Sequence, residues 1–154
     1  MRRAFLLVAM VLIALTMFVL WNRKAQPVNE TQRNEAFAAS MSGVTLVGHS
    51  TMGQREGLSG EERYRIEKVS HLTGDTWLFQ TRLMFEGHDI PVPIPLSIVW
   101  AGDTPVITLT DLAIPGIGSY TARVVLYRDQ YAGTWSGKSA GGQIFGRIVH
   151  DPKQ

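Results

Sequence analysis

The chain has 154 residues, 45% of them hydrophobic, with no cysteine and a formal net charge of +2 at pH 7. That length gives room for one domain and an appendage, since domains usually occupy ~100–200 residues. Lack of cysteine excludes a disulfide framework and a cysteine-linked lipid anchor. The small positive charge rests partly on Arg2, Arg3, Arg23 and Lys24 around the first hydrophobic segment, and gives no reason to expect a nucleic-acid partner.

Residues 4–21 (AFLLVAMVLIALTMFVLW) carry no charge, no Gly and no Pro. At ~1.5 Å per residue a helix of this length reaches roughly 27 Å, close to the ~30 Å hydrocarbon core, so the segment predicts a transmembrane anchor. A cleavable signal peptide is the alternative. Its apolar stretch normally runs only ~7–15 residues and closes on small residues, whereas this one closes on Phe18, Val19, Leu20 and Trp21. Trp21 suits the membrane interface, where an amphipathic ring is stable. By a narrow margin the positive-inside rule keeps the N-terminus cytoplasmic. The expectation is a signal anchor, making this a single-pass membrane protein with its domain extracytoplasmic, on the periplasmic side.

Residues 22–42 are polar, with few large apolar side chains, and read as a juxtamembrane linker in which Glu30 to Met41 can form a short helix. From residue 43 to 154 the texture changes to short runs rich in β-branched and aromatic residues between Gly- and Asp-containing turns, the pattern of an all-β domain. Eight strands are predicted, over 43–52, 62–71, 75–86, 89–100, 104–112, 118–127, 130–136 and 141–149. Alternation places Trp77, Phe79, Thr81, Leu83 and Phe85 on one face of the third, and Tyr120, Ala122, Val124 and Leu126 on one face of the sixth.

Strands with one apolar and one mixed face, joined by short turns, suit an antiparallel meander closed into a lipocalin-like up-and-down barrel, or a partly open barrel or sandwich. The fourth strand argues against perfect closure. There Pro91, Pro93 and Pro95 alternate with Ile90, Val92, Ile94 and Leu96, so three backbone donors are missing along one edge. That edge is either protected from aggregation or a functional gap for a ligand or partner strand.

The phrases EERYRIEKV (61–69), GDTWLF (74–79), DIPVPIPLSIVWAGDTPVITL (89–109), IPGIGSYTARVVLY (114–127), YAGTWSG (131–137) and GGQIFGRI (141–148) resemble a family of bacterial proteins with an N-terminal hydrophobic anchor and one β-rich domain. The resemblance implies a lipocalin-like architecture and carries over no activity and no catalytic residue. The Gly-x-Trp of lipocalins belongs on their first strand, whereas Gly133, Thr134 and Trp135 stand near the end of this chain.

The chemistry-bearing residues form no motif. His49, His71, His88 and His150 are far apart in the chain, with no metal-ligand spacing. Ser50 lies in no nucleophile elbow, and Glu61, Glu62, Asp103 and Asp111 fall in turns or at strand ends. No enzyme, cofactor or metal is expected. The large aromatics are first of all core. If the barrel is hollow, Trp77, Phe79, Trp100, Tyr120 and Trp135 are the candidate ligand-binding residues. The expected function is a non-enzymatic structural or protein-interaction module of the cell envelope, with lipocalin-like binding of a small apolar ligand near the membrane as the alternative. The corresponding partners are the membrane, an envelope protein and an apolar small molecule.

Overall fold

The computed structural model describes residues 29–53, 56–85, 88–114 and 118–151. The predicted anchor at 4–21 lies outside them. Among the described residues no helix is long and apolar enough to cross a membrane. Two compact units divide the chain after Arg33, and the second, Asn34–Gln154, holds the barrel.

Helix α1 (Glu30–Met41) is followed by β1 (Val44–Ser50), β2 (Glu62–Thr73), β3 (Thr76–Phe85), β4 (His88–Ala101), β5 (Thr104–Ile114), β6 (Gly118–Tyr127), β7 (Gln130–Gly137) and β8 (Gly141–His150). Each strand pairs antiparallel with the next, and β1 pairs β8, so the meander closes into an eight-stranded barrel. Sequential hairpins need no crossover, which is why turn chemistry suffices to specify this order. At one end the hairpins turn at Gly74 (φ +51°) and Gly102 (φ +69°), left-handed positions that glycine adopts without strain.

Period-2 alternation sets the interior as expected. Trp77 and Phe79 are each 1% exposed and Thr81 is buried, while Leu83 and Phe85 lie outside the described side chains. Val124 and Leu126 are buried, with Tyr120 and Ala122 half-buried on the same face. The exterior carries charged residues, with Arg63, Arg65, Glu67, Lys68 and Arg147 all exposed, together with exposed apolar ones such as Val99, Val125 and Phe145.

The second half of α1 lies within the segment read as linker, yet Phe37 and Met41 belong to the hydrophobic core. Asn34, Phe37 and Met41 recur at helical spacing and are the buried residues of α1. The Phe37 ring meets Trp77 edge-on at 5.0 Å and Trp100 at 5.5 Å, an arrangement favoured by the ring quadrupoles. Ser42 fastens this plug to the wall: its hydroxyl donates to Ala38 O (2.7 Å) and accepts from Val69 N (2.9 Å) beside a bulge in β2. One end of the barrel is thereby stoppered by the helix.

β4 pairs β3 along its length, from His88 opposite Phe85 to Ser97 opposite Thr76. Among the described residues it pairs β5 only over Ser97–Ala101. The closed barrel thus keeps a seam beside the exposed Pro91, Pro93 and Pro95, on the half away from the helix. Across the seam, β5 bulges between Leu109 and Leu112, with Asp111 at φ +47°.

Candidate functional site

The barrel interior changes character along its axis. Around α1 the inward residues Val44, Val69, Trp77, Phe79, Leu96 and Ile98 are all buried. Toward the opposite end the residues Tyr64, Tyr120, Trp135, Leu112 and Ile144 are half-buried, with Tyr64, Leu112 and Ile144 packed against the edge of the core. Small residues at Ser50, Ala122, Gly133 and Gly146 line the same half. The described interior is thus most fully buried beside α1 and less fully buried toward the opposite end.

Its polar floor is built from three strands. Glu62 opens β2, and the alternation Glu62, Tyr64, Ile66 turns its side chain inward while Arg63 and Arg65 point out. Its Oε1 accepts a hydrogen bond from Ser50 Oγ of β1 (2.7 Å), and its Oε2 accepts one from the Tyr64 hydroxyl (2.5 Å). Among the described residues no Lys or Arg forms an ion pair with it. A fourth group comes from β7. Tyr131 is opposite Gly146, which is opposite Gly48, which is opposite Glu62. The Tyr131 ring lies along this row: a Cβ on Gly146 would crowd its Cε1, and a Cβ on Gly48 would collide with its hydroxyl. Only glycines at both places let the phenol reach toward Glu62. Tyr131 is 3% exposed, and its hydroxyl has no hydrogen-bond partner.

These phenols sit in a strongly perturbed setting. Burial, then the hydrogen bond to Glu62, then its negative charge raise Tyr64 far above the ordinary phenol value. Burial, followed by the charge of Glu62, pushes Tyr131 up to about 12. Neither ionises near neutrality, so both remain hydroxyl donors and acceptors there.

The rim is braced. Trp135 Nε1 donates to Thr51 O (3.2 Å), and Thr51 Oγ1 accepts from Gln143 N (2.8 Å), pinning the indole beside Tyr120 at 6.3 Å between ring centroids. Ser59 returns the loop after β1 to the wall: its Oγ accepts from Ser50 N (2.8 Å) and its N donates to Ser50 O (2.7 Å).

Of the five aromatics singled out from sequence, the structure brings Tyr120 and Trp135 together at the end opposite α1. Trp77, Phe79 and Trp100 gather at the opposite end around Phe37. Sequence reasoning missed Glu62, Ser50 and the pointing of Tyr131. The alternation from Glu62 to Ile66 was the available signal for the first. Histidines take part in local contacts: His49 Nδ1 lies 3.0 Å from Ser59 O, His71 Nε2 lies 2.7 Å from Gly74 O, and His150 faces Asp129 at 3.5 Å. Among the described residues no three His, Asp or Glu side chains come together as a metal site. Compared with known proteins, the chain matches no family model and no curated sequence at a significant level.

Proposed function

We propose that this domain is a non-enzymatic binding cup for a small, largely apolar ligand, held on the outer side of a membrane by the segment 4–21. The observation that carries the ligand reading is the difference in burial between the ends of one closed barrel: Trp77 and Phe79 fully buried beside Phe37, and Tyr64, Tyr120 and Trp135 half-buried toward the other end. A barrel of eight strands is wide enough for either filling, a packed core or one small ligand. In this reading each half takes one of the two. Concave, aromatic walls with a few convergent polar groups are the usual composition of ligand sites.

The test uses the full chain in lipid nanodiscs with Nile red. Saturable binding is expected above that of a Trp135→Ala/Tyr120→Ala variant in the same lipid, so that partition into the bilayer cancels. Equal signals from the two would overturn the cup. The anchor is tested separately: full-length protein should stay with membranes through high salt, and recovery of a soluble form starting near Ala25 would overturn it.

Docking on an envelope protein is a second function, favoured by an apolar ridge on the outside of the barrel. Val99, Val106, Val125, Ala132 and Phe145 are successive register partners from β4 to β8, and all but Val106 are exposed. A contiguous exposed apolar strip of this kind commonly marks a contact surface. Val125→Lys with Phe145→Lys should abolish such docking and leave Nile red binding unchanged.

A further inference from the structure

The cup has a chemical preference written into its floor, and the inference that follows rests on the ligand-binding reading above. We propose that the ligand carries a protonated primary amine, seated between the Glu62 carboxylate and the Tyr131 hydroxyl, with its apolar remainder against Tyr120 and Trp135.

Three observations converge on that head group. Glu62 accepts two hydrogen bonds, from Ser50 and Tyr64, whereas a carboxylate offers about four lone-pair sites. Both of its present donors are neutral hydroxyls. Neutral hydroxyls bring it no opposite charge, and an incoming ammonium would supply one. Second, the Tyr131 hydroxyl is buried and unpartnered, and the Gly146–Gly48 row delivers it toward Glu62. A buried polar group left unpaired costs free energy unless something meets it. A primary ammonium has three N–H donors and can satisfy the carboxylate and the phenol oxygen together. Third, Tyr64, Tyr120 and Trp135 are aromatic side chains of this half of the barrel, a composition that suits a cation as well as an apolar chain. An anionic head would meet Glu62 with like charge. A neutral hydroxyl would match the hydrogen bonds but leave the charge uncompensated.

The glycines and the seam add a steric argument. Gly146 and Gly48 leave the Tyr131 ring its place along the row, so the phenol oxygen is brought toward Glu62. Both edges of the β4–β5 seam are closed to strand addition. Three prolines remove donors from one edge, and Arg123 Nη1 donates to Leu109 O (2.6 Å) on the other. The seam therefore does not favour a peptide strand as the occupant.

The experiment compares hexylammonium, hexanol and hexanoate, which share one chain and differ in head charge, by calorimetry on the full chain. Hexylammonium is expected to bind saturably, about tenfold or more tighter than hexanol, the factor corresponding to one charge-assisted contact, with hexanoate weakest. Glu62→Gln keeps one acceptor oxygen for one of the two hydroxyls and offers its amide N–H to the other, and should erase the preference for the cation without changing hexanol binding. If none of the three binds, the cup itself is wrong. If hexanol binds as tightly as hexylammonium, or Glu62→Gln retains the preference, the cup stands and the amine is overturned. Should Glu62→Gln fail to fold, Tyr131→Phe decides, since it leaves the Glu62 bonds in place: a several-fold loss of hexylammonium affinity with hexanol unchanged is expected, and unaltered hexylammonium affinity overturns the proposal.

Discussion

The Tyr131 hydroxyl and the Glu62 carboxylate lie on one register row, separated by two strands whose residues at that level, Gly146 and Gly48, have no side chains. The phenol is buried without a partner, so it is a cost in the unliganded fold. Tyr131→Phe keeps the ring's packing and removes the desolvated hydroxyl. The variant should be as stable as the wild type or more stable, by up to about 1 kcal/mol, in chemical denaturation. A loss of more than about 1 kcal/mol would mean that the hydroxyl is bonded in the folded state.

Alanine at Gly146 tests the row from the other side. Its methyl would meet Val47 O and Gly48 Cα as well as the Tyr131 ring, and backbone is not able to step aside as a flexible side chain does. Overpacking of this kind costs ~1–3 kcal/mol and sometimes more. The melting temperature should fall, and a Gly146→Ala/Tyr131→Ala double variant should not recover it.

Alkaline stability follows from the two buried phenols. Tyr131 is pushed up to about 12 by burial and the charge of Glu62, and Tyr64 is raised further in the same direction. A folded-state value above the unfolded one means that the unfolded chain releases its proton first. The stabilisation is therefore whole below the unfolded phenol value of ~10 and is lost as pH climbs through the folded one. Unfolding by base should begin above ~10, and part of the tyrosinate absorbance should appear only together with unfolding. Complete, reversible ionisation of all tyrosines in the folded protein would contradict this.

At the stoppered end, Phe79 is 1% exposed and packs with Phe37 and Trp77. Phe79→Ala should cost ~3–5 kcal/mol, because a cavity term joins the lost transfer energy. Phe37→Ala should behave similarly, although it lies outside the strands. Both should leave hexylammonium affinity unchanged at temperatures where they remain folded, since the ligand half is built from other residues. A cost below about 1.5 kcal/mol for Phe79→Ala would mean that this end is hollow too.

Strand positions are legible in the sequence because each hairpin has its own local signal. Glycine at Gly74 and Gly102 marks a left-handed turn, and alternation between turns carries the face. All eight expected strands agree with the observed ones to within two residues at each end. The role of α1 is not legible. Only Asn34, Phe37 and Met41 of its twelve residues are buried, too sparse a stripe among Ala, Ser and Glu to announce a plug. Glu62 is hidden for a different reason. A carboxylate at a strand start is usually solvated, and its inward turn depends on where β2 begins, the boundary that sequence resolves least well. Trp77 and Trp135 both read as interior aromatics, and only the closed topology sends one to the packed end and the other to the open one.

The prolines of β4 give the last expectation. Pro91, Pro93 and Pro95 are exposed, and the strand they interrupt pairs fully with β3 while meeting β5 only from Ser97 onward. Alternate residues of a strand send their N–H groups to the same side, so three prolines two apart silence one edge. The opposing β5 edge is distorted by its own bulge: Asp111 N donates to Thr121 Oγ1 (3.0 Å), and Arg123 occupies the carbonyl of Leu109. Restored donors on β4 would therefore find no regular acceptor ladder within the molecule, and another copy would supply one. Replacing all three prolines with Thr should make the full chain self-associate over time, read as rising light scattering against a flat wild-type trace. A triple variant that stays monomeric and melts higher than the wild type would show instead that β5 can straighten and zip the seam shut.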